Sequence, residues 1–196
     1  MDLGVMEKLT FCNVKESNET KEQAVKLLLE TFPKANMWPD LDKETATEAV
    51  AESIADENIC IGLKINDELI GWGCLCPDYW GKTWELHPFA ILTKCQGKGY
   101  GQMLMNEIEK LAREKGAIGI ILGSGDEKKL TSLSEGEITE ENIFEKIRGI
   151  KNIGNHPYEF YKKCGFMIYG VIPNAYGLNM SSILMWKDIR KRQEEK

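Results

Sequence analysis

The chain has 196 residues and a mass of 22.3 kDa, with 42% hydrophobic and 29% charged side chains, which suits a single globular domain over residues 1–196 with a core of its own. A formal charge of −6 and a pI near 5.2 argue against nucleic acid and favour either no partner in particular or a cationic one. No apolar run approaches a membrane span, the N-terminus lacks the basic start and apolar stretch of a signal peptide, and six cysteines without a C-x-x-C, beside two histidines, give no zinc-like constellation; the expectation is a cytoplasmic protein with reduced thiols and no metal.

A short strand is expected over residues 9–14. Residues 20–32 then carry Ala24, Val25, Leu28, Leu29 and Phe32 at helical spacing, with Pro33 as the stop. A second, more polar helix is expected over residues 42–55, with Ala46, Ala49, Val50 and Ile54 on one face. "ICIGLKI" and "LIGWGCLC", joined by "NDE", read as an antiparallel hairpin, and the loop "PDYWGK" leads into the strand "TWELHPFAIL". Behind "QGKGYG", the apolar stripe Tyr100, Leu104, Ile108, Leu111 and Ala112 predicts a helix closed by Gly116. "AIGIILG" follows as a buried strand, and the right-handed crossover through that helix makes its sheet neighbour parallel. Residues 124–155 form a polar excursion with one helix, capped at Thr139 and turning Ile143, Phe144, Ile147 and Ile150 inward. "HPYEFYKKCG" reads as a short helix between Pro157 and Gly165; "FMIYGVIP" and "SILMWKDI" are the last strands, and the tail from Arg190 is charged and frayed.

The stretch "QGKGYG", residues 96–101, places three glycines at a strand-to-helix junction, where exposed backbone N–H groups and the positive end of a helix dipole suit phosphate. It is not a P-loop, because Lys98 is followed by Gly99 where a serine or threonine must hold magnesium. It departs from the dinucleotide fingerprint because its third glycine comes one residue early, although Asp126 lies beyond the next strand. Either a phosphate site or a plain glycine-rich turn fits the six residues alone.

Gln96-x-x-Gly99-x-Gly101 matches the Q/R-x-x-G-x-G/A pattern of the GNAT superfamily of N-acetyltransferases at the same junction. The surrounding "WELHP", "IILGSGDE", "TSLS", "IKNIGNHPYEFYKKCGF" and "VIPNAYG", between Trp84 and Trp186, resemble the aminoglycoside 6'-N-acetyltransferases, and the N-terminal third resembles them in outline. The resemblance implies an α/β fold of GNAT type: a mixed, mostly antiparallel sheet with a central splay and helices on both faces. It implies acetyl-CoA as co-substrate, a homodimer with the C-terminal strands as its seam, and a cationic amine, an aminoglycoside, as acceptor. Another amine (polyamine, peptide or protein), a non-catalytic acyl-CoA-binding module and a nicotinamide-dependent oxidoreductase are the alternatives.

Alternation along "TWELHP" puts Glu85 and His87 on one face and Trp84 and Leu86 on the other. Glu85 is either a solvated strand glutamate or, with the resemblance, the group that takes a proton from the attacking amine. His87 is assigned orientation of the site first and proton transfer second. Pro88 has no N–H to give, so the strand should splay or bulge there. By resemblance, the backbone of Phe89, Ala90 and Ile91 binds the pantetheine arm, the Phe89 N–H faces the thioester oxygen, and Gln96, Gly97, Lys98, Gly99, Tyr100 and Gly101 hold the pyrophosphate. Tyr161, on the helix whose family counterpart sits beside the coenzyme sulfur, is either a proton donor to the leaving thiolate or, like Tyr158, a core aromatic. The excursion holds seven acids (Asp126, Glu127, Glu135, Glu137, Glu140, Glu141 and Glu145) against four basic residues over residues 124–150, a rim suited to a polyamine or a solvated surface. Asp126 and Glu127 are its candidate substrate contacts. Gly125 and the pair Ser181 and Ser182 stand where the family usually carries acids, which thins the drug-binding pattern.

Overall fold

The computed structural model describes residues 8–32 and 42–190, so Pro33 and the tail beyond Arg190 lie outside the described residues. Seven strands, β1 (Leu9–Asn13), β2 (Ile59–Ile65), β3 (Glu68–Asp78), β4 (Thr83–Ile91), β5 (Gly119–Gly125), β6 (Met167–Gly177) and β7 (Met180–Asp188), form one sheet. Their order is β1-β2-β3-β4-β5-β7-β6, and among the described residues β4 with β5 is the one parallel pair. Among the described residues five α-helices accompany it: α1 (Asn18–Thr31), α2 (Lys43–Ser53), α3 (Tyr100–Glu114), α4 (Ile143–Arg148) and α5 (Tyr158–Lys163).

The two N-terminal helices start where side-chain oxygens satisfy free backbone donors: Ser17 accepts from the Thr20 N–H and Asp42 from the Thr45 N–H. In α1 the buried stripe is Ala24, Leu27 and Leu28, with Leu27 taking the inward place expected of Leu29. The i, i+3, i+4 spacing of these three explains it. In α3, Leu104, Met105, Ile108 and Ala112 are fully buried, each large aliphatic contributing about 1.5–3 kcal/mol. The same helix buries Glu109, whose carboxylate accepts from Lys187 Nζ of β7 at 2.5 Å and lies 3.7 Å from Arg113.

Two adjacent residues of β3 show that helices cover both faces. A Cβ on Gly73 would meet Ile108 of α3, while the Cys74 thiol donates to the Ser53 carbonyl of α2. Successive strand residues face opposite ways, so α2 and α3 lie on opposite sides of the sheet.

The sheet splits at its centre. β4 and β5 pair through Thr83↔Gly119, Trp84↔Ile120 and Glu85↔Ile121, and no further. β5 then continues beside β7 as far as Gly125↔Ser182, while β4 continues beside β3 to Ile91↔Gly71. At the split, Gly73 opposes Phe89 and Leu75 opposes Leu86, leaving Cys74 opposite both His87 and Pro88. This is a β-bulge containing the residue that cannot donate to a ladder, and the splay expected beside Pro88 is present.

The excursion differs from expectation. Thr139 does not cap α4; its hydroxyl donates to Glu141, and the helix begins after a turn whose Asn142 and Ile143 amides donate to the Thr139 carbonyl. Phe144 is 75% exposed instead of buried, because six residues make too short a helix to turn four apolar positions inward; Ile147 and Ile150 pack against the core.

Candidate active site

Glu85 and His87 are both exposed on one face of β4, with Trp84 and Leu86 buried on the other. The bulge keeps Pro88 on the side of His87, and together with Cys76 of β3 and Ala49, Glu52 and Ser53 of α2 they line a cleft of about 210 Å³. The Cys76 thiol is pushed far above the ordinary range by its hydrogen bond with Cys74, then by burial and by the nearby Cys74, Glu85 and Glu57. It therefore stays neutral, and the charge at this mouth comes from the glutamates.

The opened edge of β4 supplies backbone groups. The Leu92 N–H donates to the Ile70 carbonyl, which fixes the ladder phase: Ala90 exchanges its bonds with Trp72 of β3, while Phe89 and Ile91 point theirs the other way. Of the three residues expected to meet the coenzyme arm, Ala90 has its backbone groups taken up by the ladder. The Ile91 carbonyl accepts from Gln96 Nε2 at 3.0 Å, which ties the glycine loop to the strand end. The Phe89 N–H and C=O and the Ile91 N–H face the gap left by β5.

The loop itself is exposed from Gln96 through Gly99. Gly97 and Gly99 have φ of +73° and +87°, and a Cβ on either would meet nothing within 4 Å. Their backbone conformation therefore demands glycine, and the space in front of them is open to a ligand. Gly99 also caps α3, and among the described residues no side-chain bond caps the first turn that starts at Tyr100. Lys98 is exposed beside them and Tyr100 packs against the core. Open space, free amides and a helix start make a cradle that fits a pyrophosphate.

Helix α5 closes the far side. Phe160 stacks on Phe89 with centroids 5.8 Å apart, and Tyr161 sits edge-on to Phe89 at 6.4 Å, to Phe160 at 5.2 Å and to Phe166 at 5.9 Å. Burial foremost, and then the neighbouring Cys164, push the Tyr161 phenol well above its ordinary range, so it is protonated at neutral pH and able to donate. Tyr158 is fully packed into the core.

Other residues are placed differently from expectation. Asp126 is 1% exposed, and its carboxylate accepts from the Leu130 N–H (2.5 Å), the Thr131 N–H (3.1 Å) and the Thr131 hydroxyl (2.6 Å). Three donors and burial make it a staple of the excursion, which corrects its expected contact with a substrate cation. Glu127 is partly exposed, with its carboxylate over Gly125, and the Tyr176 ring fills the space a side chain at Gly125 would need. Ser181 and Ser182 are buried. His156 was missed by sequence reasoning: it is 3% exposed, its Nδ1 accepts from the Tyr158 N–H (3.1 Å) and its Nε2 lies 2.9 Å from the Gly125 carbonyl. It joins the start of α5 to the end of β5, and the preceding-Pro position in "HPY" was its one signal. Among the described residues no group of side chains could hold a metal ion, and no helix is long and apolar enough to cross a membrane.

A sheet parted beside a bulge, with a glycine cradle at the end of one arm, defines an acyl-CoA-dependent transferase fold. The Acetyltransferase (GNAT) family matches residues 21–129, more than half of the chain, and the protein belongs to that family, whose co-substrate is acetyl-CoA. Comparison with curated proteins returns no match. Among solved structures, an aminoglycoside 6'-N-acetyltransferase complexed with coenzyme A is 33% identical, with a TM-score of 0.85 over 94% of this chain and 99% of that one. The aminoglycoside 6'-N-acetyltransferase from Enterococcus faecium is also 33% identical, with a TM-score of 0.83 over the same shares. An aminoglycoside 6'-acetyltransferase type Ii is 29% identical, with a TM-score of 0.70.

Proposed function

We propose that the protein is a cytoplasmic, homodimeric aminoglycoside 6'-N-acetyltransferase, acetylating the 6'-amino group by direct transfer and conferring resistance to these drugs. The observation that carries this reading is the placement of Glu85 at the mouth of the β4–β5 split, on the same strand as the Phe89 amide four residues on, in a chain 33% identical to such enzymes over 94% of its length. Acetyl-CoA supplies the thioester that the amine attacks. The loop from Gln96 to Gly101 and the first turn of α3 bind its phosphates, and the Phe89 and Ile91 backbone groups align its arm. The Phe89 N–H meets the negative charge that develops on the thioester oxygen. Glu85, directly or through a water, takes the proton from the amine, His87 orients the mouth of the cleft, and the Tyr161 phenol donates to the departing sulfur. Glu85 and Glu127 meet the cations of the acceptor.

The test is an acetyl-CoA consumption assay across kanamycin-type drugs with and without a 6'-amine, alongside polyamines and lysine peptides. Turnover confined to 6'-amino drugs, with a KM that rises with salt, is expected, because charge pairing at an exposed rim is screened by ions. Turnover that ignores the 6'-amine overturns the aminoglycoside reading, and binding of acetyl-CoA without turnover of any amine leaves a non-catalytic module. Light scattering reports the dimer.

A further inference from the structure

Helix α5, which carries Phe160 and Tyr161, is six residues long, too short to hold a direction by its own hydrogen bonds. Its orientation is set by what grips its ends. At the C-terminal end the chain turns through Gly165, with φ of +92°, where the Gly165 N–H donates to the Lys162 carbonyl (2.9 Å) and the Phe166 N–H to the Tyr161 carbonyl (3.0 Å). The Cys164 carbonyl is satisfied from another element: it accepts from Lys187 Nζ of β7 at 2.5 Å. The same ammonium donates to Glu109 Oε1 of α3 at 2.5 Å. The Cys164 thiol donates to Gln102 Oε1, in the first turn of α3, at 3.3 Å. One residue thus ties the end of α5 to both the middle and the first turn of α3.

The ion pair stands where packing does not require one. Glu109 lies beside Met105, Ile108 and Ala112, all fully buried, and its side chain is 7% exposed against 18% for Lys187. Taking two charges out of water is costly, and apolar side chains of similar volume fill such places with no loss of stability. What the pair adds is a fixed geometry, and that geometry leads to Tyr161. The Lys187 stem packs on Gly165, where a Cβ would lie 3.3 Å from Cε, and its ammonium lies 5.9 Å from the centroid of the Phe166 ring. Phe166 in turn meets Tyr161 edge-on at 5.9 Å. A displacement of Lys187 therefore reaches the phenol through one ring.

We propose that Glu109 and Lys187 are positioning residues for acetyl transfer: their ion pair, fastened to the Cys164 carbonyl, holds α5 against α3 and fixes the Tyr161 phenol where the thiolate departs. The inference rests on the reading of Tyr161 as the proton donor and deepens it. A donor acts only within hydrogen-bond reach, and a misplacement of about 1 Å costs on the order of 10²-fold in rate.

The test is a double-mutant cycle on the full chain, with acetyl-CoA and kanamycin as substrates. Glu109→Leu with Lys187→Met replaces the pair by apolar side chains, in the wild type and in Tyr161→Phe. Arg113, 3.7 Å from Glu109 and 32% exposed, then turns to solvent. Tm should be unchanged or higher, and acetyl-CoA affinity by calorimetry unchanged, while kcat falls about tenfold. In the Tyr161→Phe background the same replacement should cause no further loss of kcat, because the group it misplaces is already gone. If the double replacement does not fold, Glu109→Gln, which keeps the size and an acceptor oxygen, carries the same comparison with a several-fold loss expected. An equal loss of kcat in both backgrounds overturns the inference by making the pair a general support of the fold, and so does unchanged kcat in the folded variant. Wild-type kcat in Tyr161→Phe alone overturns the donor reading, and absence of any amine turnover by the wild type overturns the transferase one; this inference falls with either.

Discussion

Gly101 in the first turn of α3 and Phe160 of α5 meet so closely that a Cβ on the glycine would lie 3.1 Å from two ring carbons. The three glycines of one hexapeptide thus answer two demands. Gly97 and Gly99 are needed for their positive φ in front of open space, and Gly101 for the approach of the helix that carries Tyr161. Gly99→Ile should cost about 1–2 kcal/mol of stability from the left-handed backbone and abolish measurable acetyl-CoA binding by calorimetry, with the fold retained. Gly101→Ala should instead lower kcat more than coenzyme affinity, by displacing Phe160 and Tyr161. Wild-type affinity in Gly99→Ile would remove the phosphate role of the loop.

Glu85→Gln removes the proposed proton acceptor but keeps the shape of the cleft. Acetyl-CoA affinity should be unchanged, and kcat/KM for the amine should fall by on the order of 10²-fold, most steeply at low pH, where more of the amine starts protonated. A pH–rate profile that superimposes on the wild type would reduce Glu85 to a surface glutamate.

Tyr161→Phe keeps the three ring contacts and deletes the phenol. Because burial raises that phenol, it remains a donor throughout the range in which the amine reacts. The loss in kcat, on the order of 10²-fold, should therefore be constant from neutral pH to about pH 9, with coenzyme affinity intact. Unaltered kcat assigns Tyr161 to packing.

His156 should make the fold acid-sensitive. A neutral ring with its proton on Nε2 satisfies both the Tyr158 N–H and the Gly125 carbonyl, whereas a second proton on Nδ1 would face an N–H donor. Burial lowers its pKa below the ordinary 6.5, opposed by the Gly125 bond and by Asp126. The unfolded chain thus takes up the proton first as pH falls. The stabilisation is fully present above about pH 6.5 and is lost below it as pH drops through the folded-state pKa. Thermal melts between pH 8 and pH 5 should show this decline, and His156→Gln should flatten it; an identical slope in the variant would place the acid sensitivity elsewhere.

Local rules reach far in this chain. Helical spacing located α1, α2 and α3, alternation put Glu85 and His87 on one face, and the missing N–H of Pro88 marked where the sheet parts, because each of these is decided by neighbours within a few residues. The glycines and the resemblance in "QGKGYG" and "HPYEFYKKCG" located the cradle and the closing helix. What a linear pattern does not carry is which partner a polar group finds. Asp126 read as a rim acid and became a loop staple because Leu130 and Thr131 fold back onto it; Ala90 gave its backbone to Trp72 because the ladder phase is set by Leu92 and Ile70; and His156 became a tie between α5 and β5. Glu109, in the midst of the apolar stripe of α3, is buried because Lys187 arrives from a strand 78 residues away. The sequence by itself determined the elements, the splay and the glycine loop, since propensity and periodicity act locally. Tertiary structure alone decided which carboxylates are buried, because a buried charge is tolerated only where distant donors converge on it.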